Sequence, residues 1–397
     1  MTIEKTLPKI VPPTENPQPH IYPPLSTRRQ FVQASLSALS GLALTSCGWT
    51  LGVTPTEDAP KESDGSRQPP PISSNQLYIY TWADYTDKDL LDSFTAQTGI
   101  QVIVDIFDSN ETMLAKVQAG GGAAYSIIYP SDYMVKRMTQ LHLLREIDHS
   151  KLQGLENFFD KFQNPDYDPG NRYSLPFTWG TTGLIYNAAK LKQEPEDWDY
   201  LWDNSEQLWR RIALMNDLRE TIGAGLRSLG YSYNSTNPQE IAQAYEKLLR
   251  IKPTLANFTT DGWRDLMLAG DLTVAMGYSF SALEVADENP NLKYVVPKSG
   301  TSLWTDAMVI PKNAPNLKAA YAWLNFMLRP EVTVPLSERL YFATPNRAAY
   351  ELLPPELQEN PTLFPPEEIL NKCEGILPLD PEKEKEYARY WIKLRSS

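Results

Sequence analysis

The sequence predicts an α/β fold built of two lobes, in which mostly parallel sheets are flanked by helices. Short β-favouring runs alternate with segments whose apolar residues recur at helical spacing, as parallel strands joined by crossover helices do. The alternation begins again in the second half of the chain, from Gly183 onward. With 397 residues the chain is long enough for two hydrophobic cores. Two lobes therefore explain the pattern better than one oversized sheet.

The first lobe begins with a strand at LYIYTW, residues 77–82. A helix follows that starts at a Thr/Asp pair, places Leu90, Leu91 and Phe94 on one face, and ends at Gly99. Next come a strand at QVIVDIF (101–107), a capped helix at SNETMLAKVQAGGG (109–122) and a strand at YSIIYPS (125–131). Ligands of such sheets lie beyond the C-terminal ends of the strands. The side chains that follow the first and third strands are therefore candidate ligand contacts: Trp82, Asp84, Tyr85, Ser131 and Tyr133.

The later segments repeat the pattern. Strands are predicted at GLIYN (183–187), RIALMND (211–217), DLTVAMGYS (271–279) and LWTDAMVIP (303–311), and helices at 218–231, 238–253 and 314–330. Asp217 and Glu220 begin the first of these helices, where an Asx residue followed three positions later by Glu predicts a capping box. The local sequence favours this capping role, although the same two carboxylates at the mouth of a cleft would hold a cation.

The composition excludes some partners. The chain carries 37 Lys and Arg against 49 Asp and Glu, a net charge of −12, so nucleic acid is not an expected partner. Cationic solutes are attracted instead, and the 10 Trp and 21 Tyr offer aromatic faces that bind cations.

The N-terminus predicts export. STRRQFVQ (26–33) resembles a twin-arginine signal, ASLSALSGLAL (34–44) has the length of a signal-peptide apolar region, and LTSC (44–47) resembles a lipobox. Residues 1–47 are therefore predicted to be a lipoprotein signal peptide with a Pro-rich extension, with Cys47 as the lipidated first mature residue. Residues 48–75, rich in Pro, Ser and charge, are predicted to form a flexible tether. We expect a periplasmic protein that contacts the membrane only through its lipid anchor.

Motifs for most kinds of catalysis are missing from the sequence. HExxH, CxxC, P-loop and GxGxxG patterns do not occur, and GYSFSA (277–282) lacks the closing glycine of a hydrolase elbow. No metal or cofactor is therefore predicted. An enzyme on this chain would depend on paired carboxylates, as glycoside hydrolases do. A periplasmic hydrolase of that kind remains an alternative.

Several motifs in order along the chain resemble a known family. Six segments are similar to the spermidine/putrescine-binding proteins of bacterial ABC importers. They are LYIYTWADY (77–85), DSNETMLAKVQAGGGAAYSIIYPSDY (108–133), YSLPFTWGTTGLIYN (173–187), NDLRETIGAGLRSLGYS (216–232), LWTDAMVIP (303–311) and FATPNRAA (342–349). The resemblance implies a periplasmic-binding-protein-like fold with the ligand in the cleft between the lobes. It implies lobe one at 76–181 and 304–350 and lobe two at 182–303 and 351–397. It further implies a monomer that binds a polyamine and delivers it to an inner-membrane permease.

The resemblance also implies the ligand-binding residues. It places four acids at the positions that pair with ligand nitrogens, namely Asp84, Asp217, Glu220 and Asp306, and aromatic side chains around the methylenes, namely Trp82, Tyr85, Tyr278, Trp304 and Phe342, with Ser131 and Tyr133 as further contacts. Some positions depart from the family pattern: Asp84 stands where Glu is common, Tyr278 replaces a Trp, and Phe342 replaces a Tyr. A protein adapted to another organic cation is therefore a further alternative.

Overall fold

The structure, a computed structural model, describes residues 75–396. The predicted signal peptide, Cys47 and nearly all of the predicted tether lie outside the described residues. Within them, no helix is both long and apolar enough to cross a membrane.

Nine strands are described. They are β1 (Gln76–Trp82), β2 (Gln101–Phe107), β3 (Ile127–Ile128), β4 (Ser174–Asn187), β5 (Ile212–Leu214), β6 (Leu255–Phe258), β7 (Val274–Tyr278), β8 (Leu292–Val295) and β9 (Leu303–Val309).

Fifteen α-helices connect and cover the strands in the described residues. They are α1 (Lys88–Thr98), α2 (Asn110–Gln118), α3 (Asp132–Gln140), α4 (Asp160–Gln163), α5 (Tyr200–Asp203), α6 (Leu218–Arg227), α7 (Pro238–Ile251), α8 (Trp263–Leu268), α9 (Ser279–Glu288), α10 (Leu317–Met327), α11 (Pro330–Leu340), α12 (Arg347–Tyr350), α13 (Pro355–Gln358), α14 (Glu367–Leu370) and α15 (Pro381–Ser396). The α/β class is confirmed.

The sheet is mixed, so the expectation of mostly parallel strands is wrong for its centre. The strand order is β2-β1-β3-β9-β4-β7-β5-β6, and β8 also pairs with β4. The outer pairs β1–β2, β1–β3, β5–β6 and β5–β7 are parallel, but β4 runs antiparallel to β7, β8 and β9, and β3 runs antiparallel to β9. The outer strands are joined by covering helices, as parallel strands require. β4 and β9 instead cross the middle of the sheet in opposite directions.

Strand β4 belongs to both halves of the sheet. All 14 of its residues are buried. Residues from Ser174 to Thr181 pair with β9, whereas those from Thr182 to Asn187 pair with β7 or β8. The predicted strand covered only the second of these stretches, because Pro176 and Gly180 are unusual inside a strand.

Separate hydrophobic cores pack on the two halves. Around β1 and β9 the core includes Phe94 and Trp323, both fully buried. Around β5 and β7 it includes Trp198 of one cluster and Trp263 of another. Aromatic side chains bury large apolar areas and dominate the energetics of such cores.

Candidate functional site

A cavity of about 180 Å³ lies where strands β1, β7 and β9 meet the N-termini of helices α3 and α6. It is lined by Trp82, Ala83, Tyr85, Ile106, Phe107, Asp108, Asn110, Ser131, Asp132, Tyr133, Asp217, Arg219, Glu220, Thr260, Asp261, Arg264, Tyr278, Phe280, Trp304, Asp306 and Ile376. Nine of the eleven predicted ligand-binding residues are in this lining. Asp84 and Phe342 are not.

The backbone explains why these residues meet. Trp82 and Tyr278 are the last residues of β1 and β7, and Ser131 and Asp217 are the N-caps of α3 and α6. Strand ends and helix N-termini gather at one edge of an α/β sheet, where ligands of this fold class bind.

Asp306 is a buried acceptor with one oxygen unused. It is 4% exposed, and the Tyr85 hydroxyl donates to its Oδ2. Its Oδ1 has no hydrogen-bond partner among residues 75–396. Burial raises the pKa of Asp306 to about 6, while the neighbouring Ser131 and Tyr85 hydroxyls oppose the rise. A buried carboxylate oxygen without a donor is costly for the empty protein and is a ready partner for a cationic donor.

Asp217 forms only half of the predicted capping box. Its Oδ1 accepts from the backbone N–H groups of Arg219 and Glu220, at 2.8 and 2.9 Å. The Glu220 carboxylate instead accepts from Ser302 Oγ, at 2.7 and 2.9 Å, and from the Tyr233 hydroxyl at 3.4 Å. Asp217 is therefore a helix cap that also lines the cavity, whereas Glu220 is held by groups from outside its own helix.

The pKa of Glu220 is raised into the neutral range. It is 3% exposed, and burial together with the negative charge of Asp217 raises its pKa to about 8. Burial also raises the pKa of Asp217, while its backbone hydrogen bonds and Arg219 oppose the rise. An ammonium placed beside this pair would favour the charged form of both carboxyls.

Aromatic rings form the walls of the cavity. The Tyr278 and Trp304 rings meet edge to face at 5.5 Å, and Phe280 lies 6.0 Å from each of them. Gly180 of β4 makes room for the indole, since a Cβ there would lie 2.5 Å from a Trp304 ring carbon. On the other side the Trp82 ring contacts Phe107 at 4.5 Å. Apolar faces between separated carboxyls suit a ligand that alternates charges with methylenes.

The charge of the lining is negative. Six acids face two arginines. Arg219 donates to the carbonyl of Leu377 and to Asn234, and Arg264 donates to Ser281 and Asp261. Both arginines are already engaged by protein groups, so the lining suits a cationic ligand.

The two predicted residues outside the lining lie in a loop and behind the cavity wall. Asp84 is exposed in the loop after β1, with a left-handed φ of 62°, and its Oδ2 lies 3.6 Å from Arg264 Nη1. Phe342 is buried behind the wall, where its ring packs at 5.0 Å on Tyr85 and at 5.4 Å on Phe280.

Sequence reasoning missed several lining residues, of which Asp132 is the most notable. It is 7% exposed at the start of α3, and burial raises its pKa well above the ordinary value, with further upward contributions from Asp306 and Glu220. It stands between the predicted Ser131 and Tyr133, so its position after β3 was a usable signal. Arg264 and Ile376 gave no such signal, because they reach the cavity from distant parts of the chain.

The chain is similar to bacterial solute-binding proteins of known type. A family model described as bacterial extracellular solute-binding protein matches residues 89–365. The spermidine/putrescine-binding periplasmic protein of Salmonella typhimurium is 36% identical over 302 residues, which are 76% of this chain and 86% of that protein. The putrescine-binding periplasmic protein SpuD of Pseudomonas aeruginosa is 32% identical over 337 residues, covering 81% of this chain and 92% of that protein.

Solved structures show the same fold. The spermidine/putrescine substrate-binding protein of a Streptococcus pneumoniae ABC transporter superposes with a TM-score of 0.71 at 38% identity, over 81% of this chain and 99% of that one. The Tp0655 lipoprotein of Treponema pallidum superposes with a TM-score of 0.72 at 30% identity, over 81% of this chain and 100% of that one.

Proposed function

The chain belongs to the bacterial extracellular solute-binding protein family, and we propose that it is the component of an ABC importer that captures polyamines such as spermidine or putrescine and delivers them to an inner-membrane permease. The observation that carries the proposal is the unpaired Oδ1 of the buried Asp306, in a cavity that also holds Asp217 and Glu220 between aromatic walls. Its relatives are solute-binding proteins, and we propose that this protein binds its ligand without converting it.

Each part of the cavity has a role in this proposal. Asp306 accepts one ligand ammonium, and the Asp217–Glu220 pair accepts another. Trp82, Tyr85, Tyr278 and Trp304 enclose the methylenes between them, while Ser131 and Tyr133 supply further polar contacts. Each aromatic face contributes about 0.5–2 kcal/mol of cation–π attraction when the cation is desolvated.

A thermal-shift screen of the purified protein against polyamines, amino acids and sugars tests the function. A ligand present at 100 times its Kd stabilises the folded state by about 2.7 kcal/mol. We expect stabilisation by polyamines alone. Selective stabilisation by a different organic cation would support the alternative of a changed ligand, and turnover of a glycoside would support the carboxylate-dependent hydrolase.

We propose that the fold consists of lobe one (76–181 and 304–350) and lobe two (182–303 and 351–397), with the cavity in the cleft between them. The exchange of β4 partners between Thr181 and Thr182 supports the boundary within β4, as do the separate cores, although Leu363 packs in the core of lobe one. Because β4 is shared, the described residues nevertheless belong to one compact unit. A ligand that contacts both lobes favours the closed form through its differential affinity. Small-angle scattering should show a smaller radius of gyration with a bound polyamine, and an unchanged radius would contradict closure.

We further propose twin-arginine export and a lipid anchor at Cys47. The order of paired arginines, apolar stretch and LTSC supports the proposal, and one similar structure is that of a lipoprotein. Cys47→Ala should move the protein from the membrane fraction to the soluble periplasmic fraction. Cys373→Ala, which removes the other cysteine, is the matched control and should stay with the membrane. Membrane retention of Cys47→Ala would contradict the anchor. We expect the protein to act as a monomer.

A further inference from the structure

Two buried hydroxyls hold the Glu220 carboxylate. Ser302 Oγ lies 2.9 Å from Glu220 Oε1 and 2.7 Å from Oε2, so its single O–H serves both oxygens. The Tyr233 hydroxyl makes a longer contact of 3.4 Å with Oε2 and donates to the Glu220 backbone carbonyl at 3.3 Å. Ser302 and Tyr233 are fully buried, and neither belongs to the cavity lining. Both residues therefore act on a ligand through Glu220.

The backbone around Ser302 fixes the position of its hydroxyl. The Ser302 carbonyl accepts from the backbone N–H of Thr182 in β4, at 3.3 Å. Glu374 pairs with the two neighbours of Ser302: its N–H donates to the Thr301 carbonyl and its carbonyl accepts from the Leu303 N–H, both at 2.9 Å. Ser302 is thus held between β4 and a distant segment of the chain, and its hydroxyl has a fixed place beside α6.

Tyr233 reaches Glu220 because Gly223, one turn further along α6, has no side chain. A Cβ at Gly223 would lie 2.0 Å from a carbon of the Tyr233 ring. Glycine inside a helix lowers the stability of that helix relative to alanine. At this position it makes room for the ring whose hydroxyl contacts Glu220.

The start of α6 offers the same carboxylate a different partner. In a capping box, the Glu carboxylate accepts from the backbone N–H of the N-cap residue, which is Asp217 in this helix. Asp217 forms its half of the box by accepting from the N–H groups of Arg219 and Glu220. The other half is replaced, because the Glu220 carboxylate lies on Ser302. The local sequence and the distant serine therefore specify two different positions for one side chain.

We propose that Ser302 is a positioning residue for ligand binding: it keeps Glu220 out of the capping box and holds its carboxylate in the cavity, where it can accept from a ligand ammonium. This inference rests on the proposed polyamine-binding function, which it deepens. Without the Ser302 hydroxyl, Glu220 turns to the Asp217 N–H, and a ligand has to displace that bond before it can bind. The apparent affinity then falls with the fraction of molecules whose Glu220 is still in place.

Calorimetric titration of purified wild-type protein and Ser302→Ala tests the inference, with whichever of putrescine and spermidine binds the wild type more tightly. A capping bond is strong enough to leave the binding position of Glu220 in the minority, so Kd should rise by about fivefold or more. In a Glu220→Gln background the same substitution should change Kd by less than about twofold, because an uncharged side chain attracts an ammonium only weakly wherever it lies. A crystal structure of empty Ser302→Ala should show the Glu220 carboxylate within hydrogen-bond distance of the Asp217 N–H.

Ser174→Ala is the matched control. Ser174 is also fully buried, and its hydroxyl donates to another buried carboxylate, that of Asp168, at 2.7 Å, but neither residue lines the cavity. This variant should lose thermal stability, because a buried carboxylate loses a donor, and it should keep the wild-type Kd. Ser302→Cys keeps a side chain of similar size with a weaker donor. It should also raise Kd, and it provides a second measurement if Ser302→Ala is unstable.

Four results would overturn the inference: a wild-type Kd in the folded Ser302 variants, an equal loss of affinity in the Glu220→Gln background, an equal rise in Kd for Ser174→Ala, or an unmoved Glu220 in the structure of Ser302→Ala. Failure of the proposed function has a different signature, because the wild-type protein would then bind neither polyamine.

Discussion

Asp306→Asn should abolish most of the polyamine affinity while the protein stays folded. Asparagine keeps the size of the side chain and an oxygen for the Tyr85 hydroxyl, but it removes the charge. Truncating one partner of a buried charge pair costs about 2–5 kcal/mol, or roughly 30-fold to several-thousand-fold in Kd. Calorimetric titration measures this loss directly.

The stability of the same variant separates ligand binding from folding. The pKa of Asp306 is raised to about 6, so burying this carboxyl is a penalty that is absent below its ordinary pKa and grows as the pH rises through 6. Asp306→Asn removes that penalty, and at pH 7.5 its melting temperature should equal or exceed that of the wild type. Asp160→Asn, an exposed substitution outside the lining, is the control and should bind normally. Wild-type affinity in Asp306→Asn would contradict the assigned site.

Much of the fold is predictable because the periodicity of apolar residues and the ends of strands are set by the local sequence. The alternation of strands and helices located β1, β2 and α1, and Gly99 ends α1 in the left-handed conformation that a glycine stop predicts. The direction of β9 was not predictable in this way. Whether a strand runs parallel or antiparallel depends on where the chain returns, and β9 pairs with β4 across more than a hundred residues of sequence.

The same distinction between local and long-range determinants separates the site residues that could be predicted from those that could not. Side chains directly after strands or at helix starts, such as Trp82 and Asp217, were predictable because their place in the element fixes their position. The family resemblance added Asp306, which no local pattern singled out. The pairing of Asp84 with Arg264 joins positions 180 residues apart, and no local pattern predicts it. The hydrogen bond from Ser302 to Glu220 likewise depends on a contact between segments that are distant in the sequence.

Glu220→Gln should weaken polyamine binding and change how stability depends on pH. Burial and Asp217 raise the pKa of Glu220 to about 8 from an ordinary value of 4.5. Between these two pH values the folded protein keeps a proton that the unfolded chain has released, so stability falls as the pH rises through that window. Gln has no proton to lose. Over this range the melting temperature of the empty variant should therefore fall less than that of the wild type.

Ligand affinity should depend on pH in the opposite direction to stability, and this dependence provides a second measurement for Glu220→Gln. An ammonium beside Glu220 stabilises its charged form, so polyamine binding to the wild type should release a proton near pH 7, and affinity should increase toward pH 8. Titrations in buffers of different ionisation enthalpy count that proton. In Glu220→Gln the release from this residue should vanish, and the affinity should fall roughly 30-fold or more.

Asp217→Asn keeps the helix cap, because Asn caps as well as Asp does, and should lose affinity with little change in stability. Glu356→Gln, an exposed change in α13, should match the wild type in every measurement. Wild-type affinity in both Glu220→Gln and Asp217→Asn would mean that these two acids only organise the start of α6, and the second ammonium site would have to be sought at Asp132, the remaining buried carboxyl of the lining.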